Sequence, residues 1–211
     1  MTMTRNLAAA LVLLATFAIG CQQEGQDQSS SSSSGSSSAS GASDSSGKSE
    51  GKKGKVAVAH IKPAKAASTQ PSFGQPMGTV TFTQMGDKVK VVADLTGLPP
   101  GKHGFHVHEK GDLSAADLTS TGGHFNPGGH PHGGPTTSPV HEGDLGNITA
   151  DQNGTAHLDV TLDNISVGTG KPNDVMGRAV IVHAKPDDLS SQPSGNAGAR
   201  IGGGKIENAA K

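Results

Sequence analysis

The sequence holds ten histidines, and most of them fall between residues 103 and 183. His106 and His108 flank Val107 in the run Gly104-Phe105-His106-Val107-His108-Glu109. In an extended strand, side chains two apart share a face and stand about 7 Å from each other along the chain. Two imidazoles so placed can meet one ion, while Phe105 and Val107 turn to the opposite, core-facing side. Further ligands must then come from elsewhere in the chain. The candidates are His124, in Gly122-Gly123-His124-Phe125-Asn126-Pro127, and His183, which ends the apolar run Ala179-Val180-Ile181-Val182-His183. Taken singly, each of these histidines reads as an exposed or hydrogen-bonded side chain. Their combination points to a metal centre.

A second group follows in a Gly/Pro-rich segment: His132, in His132-Gly133-Gly134-Pro135, then His141 and Asp144, in His141-Glu142-Gly143-Asp144-Leu145-Gly146-Asn147. Imidazole nitrogen and carboxylate oxygen are the ligand types of a tetrahedral zinc site. Three ligands from one loop would give a single shape to a segment with little apolar content. With His124 shared, each of two ions would have four protein ligands. His60 and His157 lie in strand-like runs, His157 in the outward set of its alternation, and both are expected at the surface.

The elements that must position these groups read as strands. Val80 and Phe82 alternate with Thr79, Thr81 and Thr83; Val89, Val91, Ala93 and Leu95 alternate with Lys90 and Asp94; Leu158, Val160 and Leu162 alternate with His157, Asp159 and Thr161. A period of two is that of a half-buried strand. Turns such as Leu98-Pro99-Pro100-Gly101 and Asp151-Gln152-Asn153-Gly154 separate the runs, which predicts an all-β sandwich or barrel. No run suggests a long helix, and no repeat of fixed period suggests a solenoid or propeller. Tyr and Trp are absent and Phe occurs five times, so Val, Ile, Leu and Ala must build the core. A formal net charge of -1 gives no broad electrostatic attraction to nucleic acid or to an acidic membrane surface.

A chain of 211 residues has room for one ordinary domain and for a stretch that is not domain. Residues 1–20 read as an export signal, with Arg5 ahead of an apolar run from Leu7 to Ile19 that is too short to span a bilayer. Ala18-Ile19-Gly20-Cys21 resembles the lipobox at which bacterial lipoproteins are cleaved and acylated, and Cys21 is the single cysteine of the chain. Residues 21–54 are rich in Ser, Gly, Gln, Asp and Lys and cannot bury enough surface to offset chain entropy. They are expected to form a tether with an end-to-end distance on the order of 30 Å. The folded domain is expected over residues 55–208.

From about residue 56 to 206 the sequence resembles the copper/zinc superoxide dismutases. The resemblance rests on Gly104-Phe105-His106-Val107-His108-Glu109, His124-Phe125-Asn126-Pro127, His132-Gly133-Gly134-Pro135, Gly143-Asp144-Leu145-Gly146-Asn147 and Gly195-Asn196-Ala197-Gly198-Ala199-Arg200, in family order and near family spacing. It implies an eight-stranded Greek-key β-barrel, of immunoglobulin-like sandwich type, with long metal-binding and active-site loops. It implies one copper ion on His106, His108, His124 and His183, and one zinc ion on His124, His132, His141 and Asp144, with His124 as an imidazolate bridge. The implied activity is superoxide dismutation by Cu(II)/Cu(I) cycling, in which His124 also helps to deliver a proton to the peroxide product. Arg200 would attract and orient the anion, and Asp187 would hydrogen-bond a copper histidine and a zinc histidine. His103 matches a position that bonds barrel to loop, and His130 has no ligand counterpart. No nucleic acid is expected as a partner, and the membrane is met only through the lipid anchor.

Three features depart from the familiar eukaryotic pattern. Leu118 and Gly203 stand where an intrasubunit disulfide has its cysteines, so metal must contribute more of the loop order. The loop between His183 and Arg200 is shorter and lacks a charged cluster that steers the anion, which implies slower capture. Lys110 replaces an apolar residue and the last strand ends in Glu207-Asn208, although Met176-Gly177 keeps part of the familiar contact surface; a homodimer and a monomer are both open. The alternative function is a non-enzymatic copper/zinc-binding surface lipoprotein. Export and a lipid anchor would place the protein in the periplasm or on the outer cell surface. Replacing Cys21 (Cys21→Ser) is expected to move the mature protein from the membrane fraction to the soluble exported fraction, as read by fractionation and by loss of fatty-acid labelling; an unchanged distribution would rule the anchor out.

Overall fold

The alternating runs fold into eight strands: β1 (Val56–Pro63), β2 (Met77–Met85), β3 (Lys88–Thr96), β4 (Gly101–His108), β5 (Asp144–Ala150), β6 (Ala156–Leu162), β7 (Ala179–His183) and β8 (Arg200–Asn208). The structure is a computed structural model and describes residues 54–67 and 75–210. The expected signal segment, Cys21 and the expected tether up to Lys53 lie outside the described residues.

The strands close in the order β1-β2-β3-β6-β5-β4-β7-β8, every pair antiparallel, with β8 returning to β1. The ring is continuous in strand order, although β5 and β6 meet only at Ala150 and Ala156, beside the turn that joins them. The order 6-5-4-7 is a Greek key, in which a fourth strand returns to lie beside the first of three consecutive ones. The predicted inward sets fill the interior: Val80, Phe82, Val89 and Val91 are fully buried. Phe82 sits opposite Val91 across the β2–β3 pair. The Asp151 turn joins β5 to β6 as expected, its carboxylate accepting the Asn153 and Thr155 N–H groups at 2.8 and 2.9 Å.

β4 departs from alternation in burial, since every residue from His103 to His108 is buried. Phe105 and Val107 join the apolar core. His106 and His108 face the other side, where the long loops 109–143 and 184–199 cover them, as their contacts with Asp187 and Gly122 show. A strand with both faces covered is how a polar pair can be held away from water on a barrel wall.

Two irregularities in pairing set the register of the site. Between Gly104 and His106 the partner on β5 moves from Asn147 to Asp144, so β5 carries one extra residue there. Gly146, with φ of 79°, supplies the left-handed conformation of that bulge. Strict alternation from the buried Ile148 would send Asp144 inward. The extra residue instead lets Leu145 enter the core and turns Asp144 toward the histidines. Between Val182 and His183 the partner on β8 likewise moves from Gly202 to Arg200, which brings Arg200 level with His183.

Leu118 and Gly203 meet on the outer side of the barrel. A Cβ on Gly203 would stand 3.1 Å from Leu118 Cδ1 and 2.7 Å from Ile181 Cδ1, so glycine leaves the room that Leu118 fills. Apolar contact thus occupies the place where the resemblance puts a cross-link. Leu118 is 6 % exposed and leads into a 3-10 turn, Thr119–Thr121; the Leu118 carbonyl and the Thr121 hydroxyl hold Arg200. Leu118→Ala is expected to lower the free energy of unfolding by about 2–3 kcal/mol, because a large apolar side chain leaves a cavity that the rigid barrel wall cannot close. Urea unfolding of the parent and variant chains checks this; a difference below about 1 kcal/mol would show that the contact holds nothing.

Candidate metal centre

Four ring nitrogens from three elements converge beside β4. His106 Nε2 lies 2.8 Å from Asp187 Oδ2, and its Nδ1 is buried without a hydrogen-bond partner. His108 Nδ1 donates to the Gly122 carbonyl at 3.0 Å, and His183 Nδ1 donates to the Gly198 carbonyl at 3.1 Å. A neutral imidazole carries one N–H, so both rings keep a bare Nε2. These two atoms lie 3.3 Å apart. That is about the separation of two nitrogens bound tetrahedrally to one ion at ~2.0–2.1 Å. Two lone pairs aimed at each other repel, and a cation between them turns the repulsion into coordination. His124 Nε2, buried and without a partner, completes the set. The ligand atoms of His106, His108, His124 and His183 all lie within 4.8 Å of one another.

The second set adjoins the first through the His124 ring, whose centroid is 4.0 Å from that of His106. His124 Nδ1 lies 2.8 Å from Asp144 Oδ1. His132 Nδ1 and His141 Nδ1 stand 3.0 and 3.3 Å from the same carboxylate. Neither is aligned with it for a hydrogen bond, and neither has another partner. Close, misaligned nitrogens around a carboxylate oxygen are disposed for a shared cation rather than for pairwise bonding. The ligand atoms of His124, His132, His141 and Asp144 again lie within 4.8 Å of one another. Asp144 sits on the first residue of β5, so the set draws on the barrel as well as on the loop.

Asp187 ties the two sets together, with Oδ2 on His106 Nε2 and Oδ1 at 2.9 Å from His132 Nε2. Each contact occupies the ring nitrogen that points away from the centre and so fixes the tautomer that faces it. Asn147 clamps the Asp187 backbone, accepting its N–H at 2.8 Å and donating to its carbonyl at 2.9 Å. At Gly195, φ is 61° and a Cβ would run into Asp187 Oδ1, which explains glycine at that position.

Burial dominates the electrostatics. His106 and His108 are held well below the ordinary imidazole value by desolvation and then by neighbouring His124 and His183. Desolvation lowers His183 to about 4 and also lowers His141. Burial pushes Asp144 upward, but the His124 hydrogen bond, the Gly133 N–H and the adjoining rings outweigh it, and the carboxyl ends below its usual range. Neutral rings and an ionised carboxylate are the protonation states that metal binding requires.

Arg200 stands over the first set. Its NH1 donates to the Leu118 carbonyl and Thr121 Oγ1 at 2.6 and 2.8 Å, and its NH2 to the Gly122 carbonyl at 2.7 Å. A guanidinium has five N–H donors, so two stay available. A cavity of about 460 Å³ connects Arg200 with His108, His124 and His183, walled on one side by Pro193 and Ser194.

The structure brings together the two ligand sets expected from the sequence and places Asp187 and Arg200 beside them. His103 joins barrel to turn, its ring nitrogens 2.8 Å from the His183 and Pro99 carbonyls. His60 and His157 are exposed, His157 facing Asp94 at 2.7 Å. His130 belongs to neither set. Two groups escaped sequence reasoning. Arg178 lies 3.5 Å over the Phe125 ring, next to His124, and donates to the Glu109 and Asp174 carbonyls. Gln192 bonds the main chain of His132. Neither has a local signal, because Phe125 and Glu109 are remote in sequence from Arg178, and His132 from Gln192.

A closed antiparallel barrel with two histidine-rich sets sharing one ring defines a narrow class of folds and sites. The chain belongs to the copper/zinc superoxide dismutase family: residues 76–206 match the family model described as Copper/zinc superoxide dismutase (SODC). The chain is also similar to a solved structure titled "Crystal Structure Analysis of the clock protein EA4", with 41% identity over 74% of this chain and 96% of that one, at a TM-score of 0.64.

A group whose folded-state pKa lies below its unfolded value takes up protons on unfolding between the two, so stability is lost as pH falls through that window. For His183 the window runs from 6.5 down to about 4, and the other lowered imidazoles act in the same direction. Chelator-treated protein is therefore expected to hold its stability near pH 7 and above and to lose it as pH falls below about 6.5, with a slope of up to about 1.4 kcal/mol per pH unit for each histidine. Denaturant unfolding at stepped pH checks this, and a flat profile between pH 7 and 4.5 would contradict it.

Proposed function

We propose that the protein is a superoxide dismutase, converting two superoxide anions and two protons to dioxygen and hydrogen peroxide with one copper and one zinc ion per chain. The observation that carries this is the meeting of four imidazole nitrogens beside a cavity whose wall holds Arg200. The buried, partnerless nitrogens fit cations. An all-imidazole set suits copper, and a set with one carboxylate suits zinc. Copper, when bound, supplies the one-electron chemistry by which one superoxide is oxidised and another reduced.

The chain's own groups do the rest. Arg200, its guanidinium plane fixed by three acceptors, presents its remaining N–H donors to the cavity and holds the anion near the four nitrogens. His124, which lines the same cavity, can hold a proton for the peroxide at Nε2, while Nδ1 stays against Asp144. Asp187 keeps His106 and His132 in the tautomers that present Nδ1 inward.

The setting we propose is extracytoplasmic, with the domain exported and anchored through Cys21. The supporting features are the apolar run Leu7 to Ile19, the lipobox-like Ala18-Ile19-Gly20-Cys21 and the Ser/Gly-rich segment behind it. A small anion crosses hydrocarbon poorly, so superoxide arising outside the cytoplasm must be removed there.

The experiment is superoxide dismutation by protein loaded with copper and zinc, beside His183→Ala under the same loading. Fast, copper-dependent activity is expected in the parent and a fall of roughly two orders of magnitude or more in the variant, which loses a ligand outright. Arg200→Leu is expected to retain both metals and lose roughly tenfold in rate, with weaker salt dependence. Full metal occupancy without activity in the parent would overturn the enzyme in favour of a non-catalytic copper/zinc-binding protein.

A further inference from the structure

His132 is held by the 184–199 loop at three atoms. Its ring Nε2 meets Asp187 Oδ1 at 2.9 Å. Its backbone N–H donates to Gln192 Oε1 at 2.8 Å, and its carbonyl accepts from Gln192 Nε2 at 3.0 Å. The second N–H of that amide goes to the Ser190 carbonyl at 3.1 Å, inside the 184–199 loop. One side-chain amide thus pairs with both main-chain groups of a residue in the other loop, as one residue pairs with its opposite in an antiparallel ladder.

That pairing has no backbone substitute. Among the described residues, no backbone-to-backbone hydrogen bond joins residues 126–143 to residues 184–199. The next two residues, Pro193 and Ser194, form the cavity wall facing His124, His183 and Arg200. Behind them the segment is braced internally. Asp188 accepts the Ser190 and Ser191 N–H groups at 3.0 and 2.8 Å and the Asn196 amide at 3.0 Å. The Asp188 N–H donates to the Gly195 carbonyl at 2.9 Å. A braced segment moves as a unit, and its polar attachment to the zinc-side loop is Gln192 together with the Asp187–His132 ring contact.

We propose that Gln192 is a positioning residue that couples metal binding by His124, His132, His141 and Asp144 to the placement of the cavity wall at Pro193 and Ser194. This rests on the reading of that set as a zinc site. Fixing His132 fixes its main chain, the Gln192 amide carries that order across to residues 188–196, and the wall is set. Gln192 touches neither substrate nor metal ligand atoms; it acts through the His132 backbone.

The test uses the full chain with zinc alone as probe, in the parent, in Gln192→Ala and in Gln192→Met, which keeps side-chain length and removes both polar atoms. Backbone hydrogen exchange is followed with and without zinc, and zinc release is timed against a chromophoric chelator. In the parent, zinc is expected to slow exchange over both 129–143 and 188–196. In both variants, protection over 129–143 persists, zinc-dependent protection over 188–196 falls about fivefold or more, and zinc leaves about fivefold faster, the factor that one net hydrogen bond carries. Unchanged zinc-dependent protection over 188–196 in both variants would overturn the role of Gln192 and leave the zinc site standing. Failure of the parent to bind zinc, or to gain protection over 129–143, would overturn both.

Discussion

Six imidazoles and two carboxylates buried around one small volume are the constraint on which this structure turns. His106, His108, His124, His132, His141 and His183 are all buried, as are Asp144 and Asp187. Buried polar groups destabilise a fold unless each finds a partner, and the low dielectric magnifies any omission. The solution divides the rings of His106, His108, His132 and His183 in two. Where a carbonyl or carboxylate takes one nitrogen, it sets the proton there, and the other nitrogen turns inward with its lone pair. The outward contacts satisfy the fold and the inward nitrogens provide the chemistry.

The barrel supplies what those contacts need. Its closure lets β4 be covered on both sides, with Phe105 and Val107 in the core and His106 and His108 under the loops. Single-residue bulges in β5 and β8 change which face Asp144 presents and which residue lies opposite His183. Without them, the same strands would direct a carboxylate into an apolar interior and move the arginine out of register. Irregularity in an otherwise regular sheet is therefore what aims the site.

The loops depend on the same centre. Among the described residues the 109–143 segment has one 3-10 turn and little apolar content to bury, and it is gathered by its contacts with His108, Asp144 and Arg200. Leu118 over Gly203 adds an apolar hold, and Arg178 stacked on Phe125 adds a cationic one. Both steady residues within a few positions of the histidines.

Much of this was legible in the residues themselves. The strands declared themselves because side chains alternate across a pleated surface, so Val80, Phe82, Val89 and Val91 could be assigned to the core without coordinates. The histidines and Asp144 stood out because few residue types hold metals and their local motifs are specific, whereas Asp187 and Arg200 followed from the family resemblance. The tautomers, the parity change at Gly146, the Leu118–Gly203 contact and the Gln192 pairing were decided only by the tertiary structure. The physical reason is that composition and periodicity act over a few residues, whereas these features are relations between atoms far apart in the chain. The sequence by itself determined which groups could bind and which elements would carry them; the folded barrel and its loops determined which nitrogen of His106, His108, His132 and His183 faces the centre, and what stands behind it.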